Sequence, residues 1–123
     1  MSQRKKKHPF EKKETGYHKY AVMELAEWVG GRVEEPMYID GQIAFVPDVV
    51  CYKDGKPECC YEVVKTNPIN GYKLGIIQYW CYRNNTELNI YEVSADYILA
   101  QTKKPERIRV DELYIVNPFE NQK

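Results

Sequence analysis

Pro47 and Asp48 stand inside an apolar run, and Glu62 follows with thirteen residues between the two acids. Valines lie on both sides of the Pro-Asp pair, at Val46 and Val49. Burying the Asp48 carboxylate without a partner would cost several kcal/mol. A divalent cation shared with Glu62 is one compensation, so the chemistry open to this pair is metal binding. Pairing of Asp48 with the basic start of the chain, with His18 or with backbone amides is the other. Glu34 and Glu35 are further ligand candidates, although an exposed strand glutamate is the commoner role for either.

The four cysteines, Cys51, Cys59, Cys60 and Cys81, also invite a metal reading, but their spacing argues against it. No C-x-x-C pair exists, and neighbours in a strand such as Cys59 and Cys60 point to opposite faces. They read as small buried side chains in a reducing compartment.

Charge is balanced over the 123 residues, with 18 basic and 18 acidic side chains, yet it is unevenly placed. Residues 1–14 hold six basic side chains (Arg4, Lys5, Lys6, Lys7, Lys12, Lys13) and two acidic ones, leaving 12 against 16, a net of about −4, for the rest. A basic arm suits phosphates, and an acidic body can meet nucleic acid only where a cation offsets its carboxylates. Alone, such a run also reads as a solubilising flexible tail. No apolar run approaches the roughly 18 residues of a membrane span, and the basic start has no apolar stretch behind it. The expectation is a soluble protein, cytoplasmic or in another intracellular reducing compartment, with no membrane partner.

The elements that must position Asp48 and Glu62 follow from periodicity. Thr15 is placed to cap a helix running to about Val29, where Gly30 and Gly31 stop it, and His18, Val22, Leu25 and Val29 share its inward stripe. Residues 32–39 read as extended, Asp40 and Gly41 as a turn, and residues 43–52 as one strand with Pro47 and Asp48 at its middle. After a turn at residues 53–57, residues 59–66 form the next strand, and the three make a meander. Residues 70–84 read as a helix with Leu74, Ile77 and Cys81 inward, and residues 86–93 as a strand returning parallel. Ser94 is placed to cap a short helix. The order is αβββαβ, an α/β class with a central mixed sheet flanked by helices. Residues 1–14 are expected as a flexible basic tail, 15–100 as the domain, and 101–123 as an extension whose pattern assigns no structure.

With these elements in place, residues 15–93 resemble the PD-(D/E)XK nuclease superfamily, whose restriction-endonuclease-like core has the same αβββαβ order. Its motif is a Pro-Asp on one strand and a Glu-x-Lys on the next. The chain looks most like the RecB-like and competence-protein-like branches. These place an inward histidine on the first helix, here His18, and a Q-x-x-x-Y on the helix after the acidic strand, here Gln78 and Tyr82. The stretch YEVVKTNP (residues 61–68) resembles the E-x-x-x-T-H-P stretch of the competence-like branch. The resemblance implies that Asp48 and Glu62 hold Mg²⁺ or Mn²⁺, that His18 reaches the ion or a phosphate, and that Lys65 positions water or stabilises developing charge. Gln78 and Tyr82, one turn apart, would orient a strand or a catalytic group. It further implies DNA as partner, as ends, branches or single strands, and a homodimer as a recurrent state.

Two details of spacing bear on that expectation. The family's lysine follows its acid by two residues and shares its face, whereas here Val64 takes that place and Lys65 points away unless a bulge intervenes. Lys73 or Gln78 could then substitute; otherwise the fold would serve as a degenerate DNA-binding or protein-interaction module. A third reading, an adaptor with no nucleic acid, treats Asp48 and Glu62 as a polar network and the eleven tyrosines as surface and interface material. Hairpin register is the other detail. A two-residue loop pairing Lys53 with Lys56 carries Asp48 opposite Tyr61 and puts Glu62 behind the sheet. A three-residue loop of Asp54, Gly55 and Lys56 pairs Lys53 with Pro57 and sets Asp48 against Glu62, and this register is predicted.

Overall fold

Helix α1 (Pro9–Val29) opens the fold in a computed structural model that describes the backbone of residues 9–118 and the side chains from residue 16 onward. Thr15 lies within this helix and is not its cap. Proline suits a first helical position, and residues 10–14 are mostly good helix formers, so the helix takes in the second part of the basic segment. Arg4, Lys5, Lys6 and Lys7 lie outside the described residues. The stop is where the glycines predict it: Gly30 has φ 68° and the Gly31 N–H donates to the Ala26 carbonyl at 2.9 Å. Gly31 then passes so close to a strand that a Cβ there would sit 2.5 Å from Val49 Cγ1.

The following strands are β1 (Arg32–Val33), β2 (Met37–Ile39), β3 (Gln42–Phe45), β4 (Val49–Lys53) and β5 (Lys56–Val64). Residues 43–52 are thus not one strand. Pro47 cannot donate to a ladder, and the chain breaks at residues 46–48, sending β3 into a hairpin with β2 and β4 into the main sheet. Asp48 therefore sits at the mouth of β4, not at the middle of a strand. The meander is β1, β4 and β5, with the β2–β3 hairpin inserted into it.

Helix α2 (Gly71–Asn84) has the predicted limits. The Asn70 side chain accepts from the Lys73 N–H at 2.8 Å, and Asn85 closes the helix in the left-handed conformation at φ 49°. Strand β6 (Leu88–Ser94) returns parallel to β5, and Ser94 caps α3 (Ala95–Ala100) by accepting from the Tyr97 N–H. The C-terminal extension supplies β7 (Glu112–Val116), antiparallel to β6. The result is a mixed five-stranded sheet in the order β1-β4-β5-β6-β7 with helices on both faces.

Strand alternation gives the sheet two apolar layers. Val49, Val63 and Val93 pack under α1 and α3 with Leu25 and Ile98, while Val50, Cys60, Leu88 and Ile90 pack under α2 and the hairpin with Ile77, Trp80 and Phe45. Ile90 is fully buried, so Ile90→Ala is expected to lower stability by about 2–5 kcal/mol in urea unfolding. Among the described residues, no helix is long and apolar enough to cross a membrane.

Candidate functional site

The strand register brings Asp48 and Glu62 together, though not by the predicted loop. The hairpin loop has two residues, Asp54 and Gly55, both with positive φ (54° and 79°), and Lys53 pairs with Lys56. Such a turn matches the right-handed twist of its strands. One extra residue, Glu58, then bulges out of β5, because Tyr52 pairs with Pro57 but Cys51 pairs with Cys59. Val49 consequently faces Tyr61, and Asp48, just outside the ladder, comes beside Glu62. The Asp48 N–H points at Glu62 Oε2 at 3.4 Å.

Beyond Val49 the ladder has no strand left to bond Val63, and side chains take over. Asp48 Oδ2 accepts from the Val63 N–H at 2.8 Å, and His18 Nε2 lies 3.1 Å from the Val63 carbonyl and 3.2 Å from Asp48 Oδ2. A proton on Nε2 serves both acceptors. The inward face of α1 thus orients the Asp48 carboxylate through its Oδ2. His18 joins the cluster with its Nε2 already engaged by protein.

Lysine reaches the acids from the helix, not from the strand. Lys73 Nζ, in the first turn of α2, lies 3.1 Å from Glu62 Oε1. Lys65 points to the other face, where its ammonium sits 4.7 Å from the Tyr17 ring centre and 4.0 Å from Asp96 Oδ1; Tyr17 in turn donates its hydroxyl proton to Asp96. The bulge at Glu58 precedes Glu62 and so leaves the relation of Glu62 to Lys65 unchanged. Gln78 lines a cleft between α2 and β7 with Leu74 and residues 113–116, and Tyr82 is exposed one turn further along α2. Glu35 is bound to Tyr52, with its Oε1 2.8 Å from the hydroxyl, and Glu34 is exposed.

Glu92 is an acid that sequence reasoning passed over. It pairs in register with Glu62 on one side and Glu112 on the other, so these three glutamates form a row across the sheet. Its side chain is 3% exposed, and its Oε2 accepts from the Ile69 N–H at 2.6 Å, which fixes the loop entering α2. The signal was available: a carboxylate inside an apolar strand, as at Asp48.

Burial, and after it the charge of Asp48, pushes Glu62 from an ordinary 4.5 up to about 7, against the pull of Lys73. His18 is raised above its usual 6.5, chiefly by its hydrogen bond to Asp48, with burial opposing. Both groups bind protons more tightly folded than unfolded. Their stabilising contribution is complete below the unfolded values and is lost as pH rises through the folded ones. Stability measured in chelator should therefore fall from about pH 4.5 through 7 and continue falling as His18 deprotonates. Glu62→Gln should flatten the lower part of that profile, and a flat wild-type profile would contradict the geometry.

Two carboxylates that repel one another in a part-buried setting fit a hard cation, since Mg²⁺ takes one or two carboxylates and keeps several waters. The carboxylates of Asp48 and Glu62 are the donors this pair would offer, the latter already met by Lys73 and the Asp48 N–H. Among the described residues no group of three or more His, Cys, Asp or Glu side chains is placed to hold an ion, so water or substrate oxygens would complete the shell. No protein-family model, curated protein or solved structure matches the chain.

Proposed function

We propose that the chain is a Mg²⁺- or Mn²⁺-dependent deoxyribonuclease with a restriction-endonuclease-like core, acting by phosphodiester hydrolysis. The observation that carries this reading is the closeness of Asp48 and Glu62, with the Asp48 N–H 3.4 Å from Glu62 Oε2 and the charge of Asp48 raising Glu62, and the Lys73 ammonium on Glu62 Oε1. Read with the β2–β3 hairpin as an insertion, α1, β1, β4, β5, α2 and β6 follow the αβββαβ order.

Asp48 and Glu62 are the residues that hold the ion, which when bound supplies Lewis-acid polarisation of a phosphodiester. His18 orients Asp48 through the contact of Nε2 with Oδ2. Lys73 offsets one negative charge beside Glu62 and places an ammonium where charge develops on the phosphate. The cationic start, Arg4 to Lys7, offers contacts to the DNA backbone, and the proposal places the protein in an intracellular reducing compartment.

The test is incubation of linear, single-stranded and branched DNA with Mn²⁺, comparing wild type with Glu62→Gln. Cleavage by wild type and its loss in the variant is the expected result; cleavage surviving in the variant would point to another site. Mn²⁺ titration should also raise the melting temperature, with a gain of about 2.7 kcal/mol at a hundredfold excess over Kd, and Asp48→Ala should remove the rise. A second reading draws on Lys65, which is turned away from the acids. It takes the chain as a degenerate nuclease fold kept for DNA or protein binding, and DNA binding without cleavage in that assay would favour it.

A further inference from the structure

Cys51 and Cys59 form the last regular pair before the bulge in the β4–β5 hairpin, directly opposite one another. Directly opposed residues in an antiparallel pair lie about 4.5–5.5 Å apart at Cα, within the roughly 4.4–6.8 Å that a disulfide spans. Opposed residues share a face, and both side chains are part-exposed on the face under α1, where Cys51 Sγ lies 3.9 Å from the Val29 carbonyl. Cys60, the neighbour of Cys59, is buried on the opposite face among the residues under α2, as is Cys81. The fold therefore separates one reachable thiol pair from two enclosed thiols.

We propose that Cys51 and Cys59 are a redox-active dithiol that closes to a cross-strand disulfide on reaction with a low-molecular-weight disulfide such as glutathione disulfide. The two thiols are not equivalent. Interaction with the facing Cys59 lowers the Cys51 thiol, whereas Cys59 is raised by the same interaction and by burial. Cys51 is the attacking group. Its thiolate attacks one sulfur of the reagent, forming a mixed disulfide and expelling one glutathione thiolate. The Cys59 sulfur then gives up its proton and attacks Cys51 Sγ, breaking the mixed disulfide and expelling the second glutathione. Two protein thiols lose two electrons and two protons, and one disulfide of the reagent becomes two thiols. The bond would staple β4 to β5 three rungs along the ladder from the two acids, since Cys51 lies three residues after Asp48 and Cys59 three before Glu62.

The experiment is treatment of the reduced full chain with glutathione disulfide, followed by intact mass and a non-reducing peptide map. Wild type and Cys60→Ser are expected to lose two hydrogens and to yield a link between the peptides of Cys51 and Cys59. Cys59→Ser, which keeps the attacking thiol and lacks the resolving one, is expected to trap one glutathione on Cys51. A link from Cys51 to Cys60, an intramolecular link in Cys51→Ser, stable glutathionylation of both thiols in wild type, or no reaction would each overturn the proposal.

Discussion

If the chain is the proposed nuclease, Lys73→Met is expected to lower Mn²⁺-dependent DNA cleavage by about 10²–10³-fold, the usual effect of removing one charge-stabilising group from an active site, while Lys65→Met is expected to leave it within about twofold. The contrast follows from where the ammonium groups sit. Lys73 Nζ is 3.1 Å from Glu62 Oε1, whereas Lys65 spans Tyr17 and Asp96 on the far side of the sheet. Single-turnover cleavage at saturating Mn²⁺ reads the difference, and urea unfolding of both variants shows whether the fold is intact. Lys65 is part-exposed, so its loss should cost at most about 1 kcal/mol of stability. The reverse ranking, with Lys65→Met inactive and Lys73→Met active, would remove Lys73 from the site.

On the same proposal Asp48→Asn is expected to reduce cleavage by about 10³-fold or more, yet to leave a folded protein. The amide retains a carbonyl oxygen that can accept the Val63 N–H, now held at 2.8 Å by Asp48 Oδ2, but it loses the charge that pairs with His18 and that the proposal assigns to cation binding. A loss of that size corresponds to about 4 kcal/mol of transition-state stabilisation. Asp48→Ala should be less stable than Asp48→Asn, because it leaves the Val63 N–H unpaired at a cost of about 1–3 kcal/mol. Cleavage rate, Mn²⁺-induced thermal shift and urea midpoint, taken on the same preparations, separate the two roles of this carboxylate. Undiminished cleavage by the asparagine variant would end the proposal that Asp48 holds an ion.

Glu62 carries the opposite balance. Its carboxylate is held near pH 7 by burial and by Asp48, so neutralising it relieves a strain that the fold tolerates. The inactive Glu62→Gln protein should accordingly be at least as stable as wild type above neutral pH in chelator. A residue that the fold itself needed would show the reverse.

Parts of this architecture were legible because the forces behind them act over a few residues. The Asn70 cap, the Asn85 stop, the Ser94 cap and the glycine stop after Val29 are each decided within one or two turns of chain. The alternation in β5 likewise marks Glu62 and Lys65 as lying on opposite faces before any packing is known. Thr15 misled because a capping residue signals a helix start only if the preceding residues cannot themselves be helical, and here they can.

The rest depended on partners distant in the chain. A two-residue turn and a one-residue bulge together give the pairing that a three-residue loop would give alone, and choosing between them requires the twist and packing of the whole sheet. Lys73 was a candidate by composition, but its approach to Glu62 follows from α2 crossing that face with β6 parallel to β5. Glu92 became a neighbour of Glu62 only through that parallel register, and residues 112–116 became a strand only because β6 offered them an edge. Local chemistry chose which groups this chain could use; contacts between segments far apart in sequence, which no short window encodes, chose which of them meet.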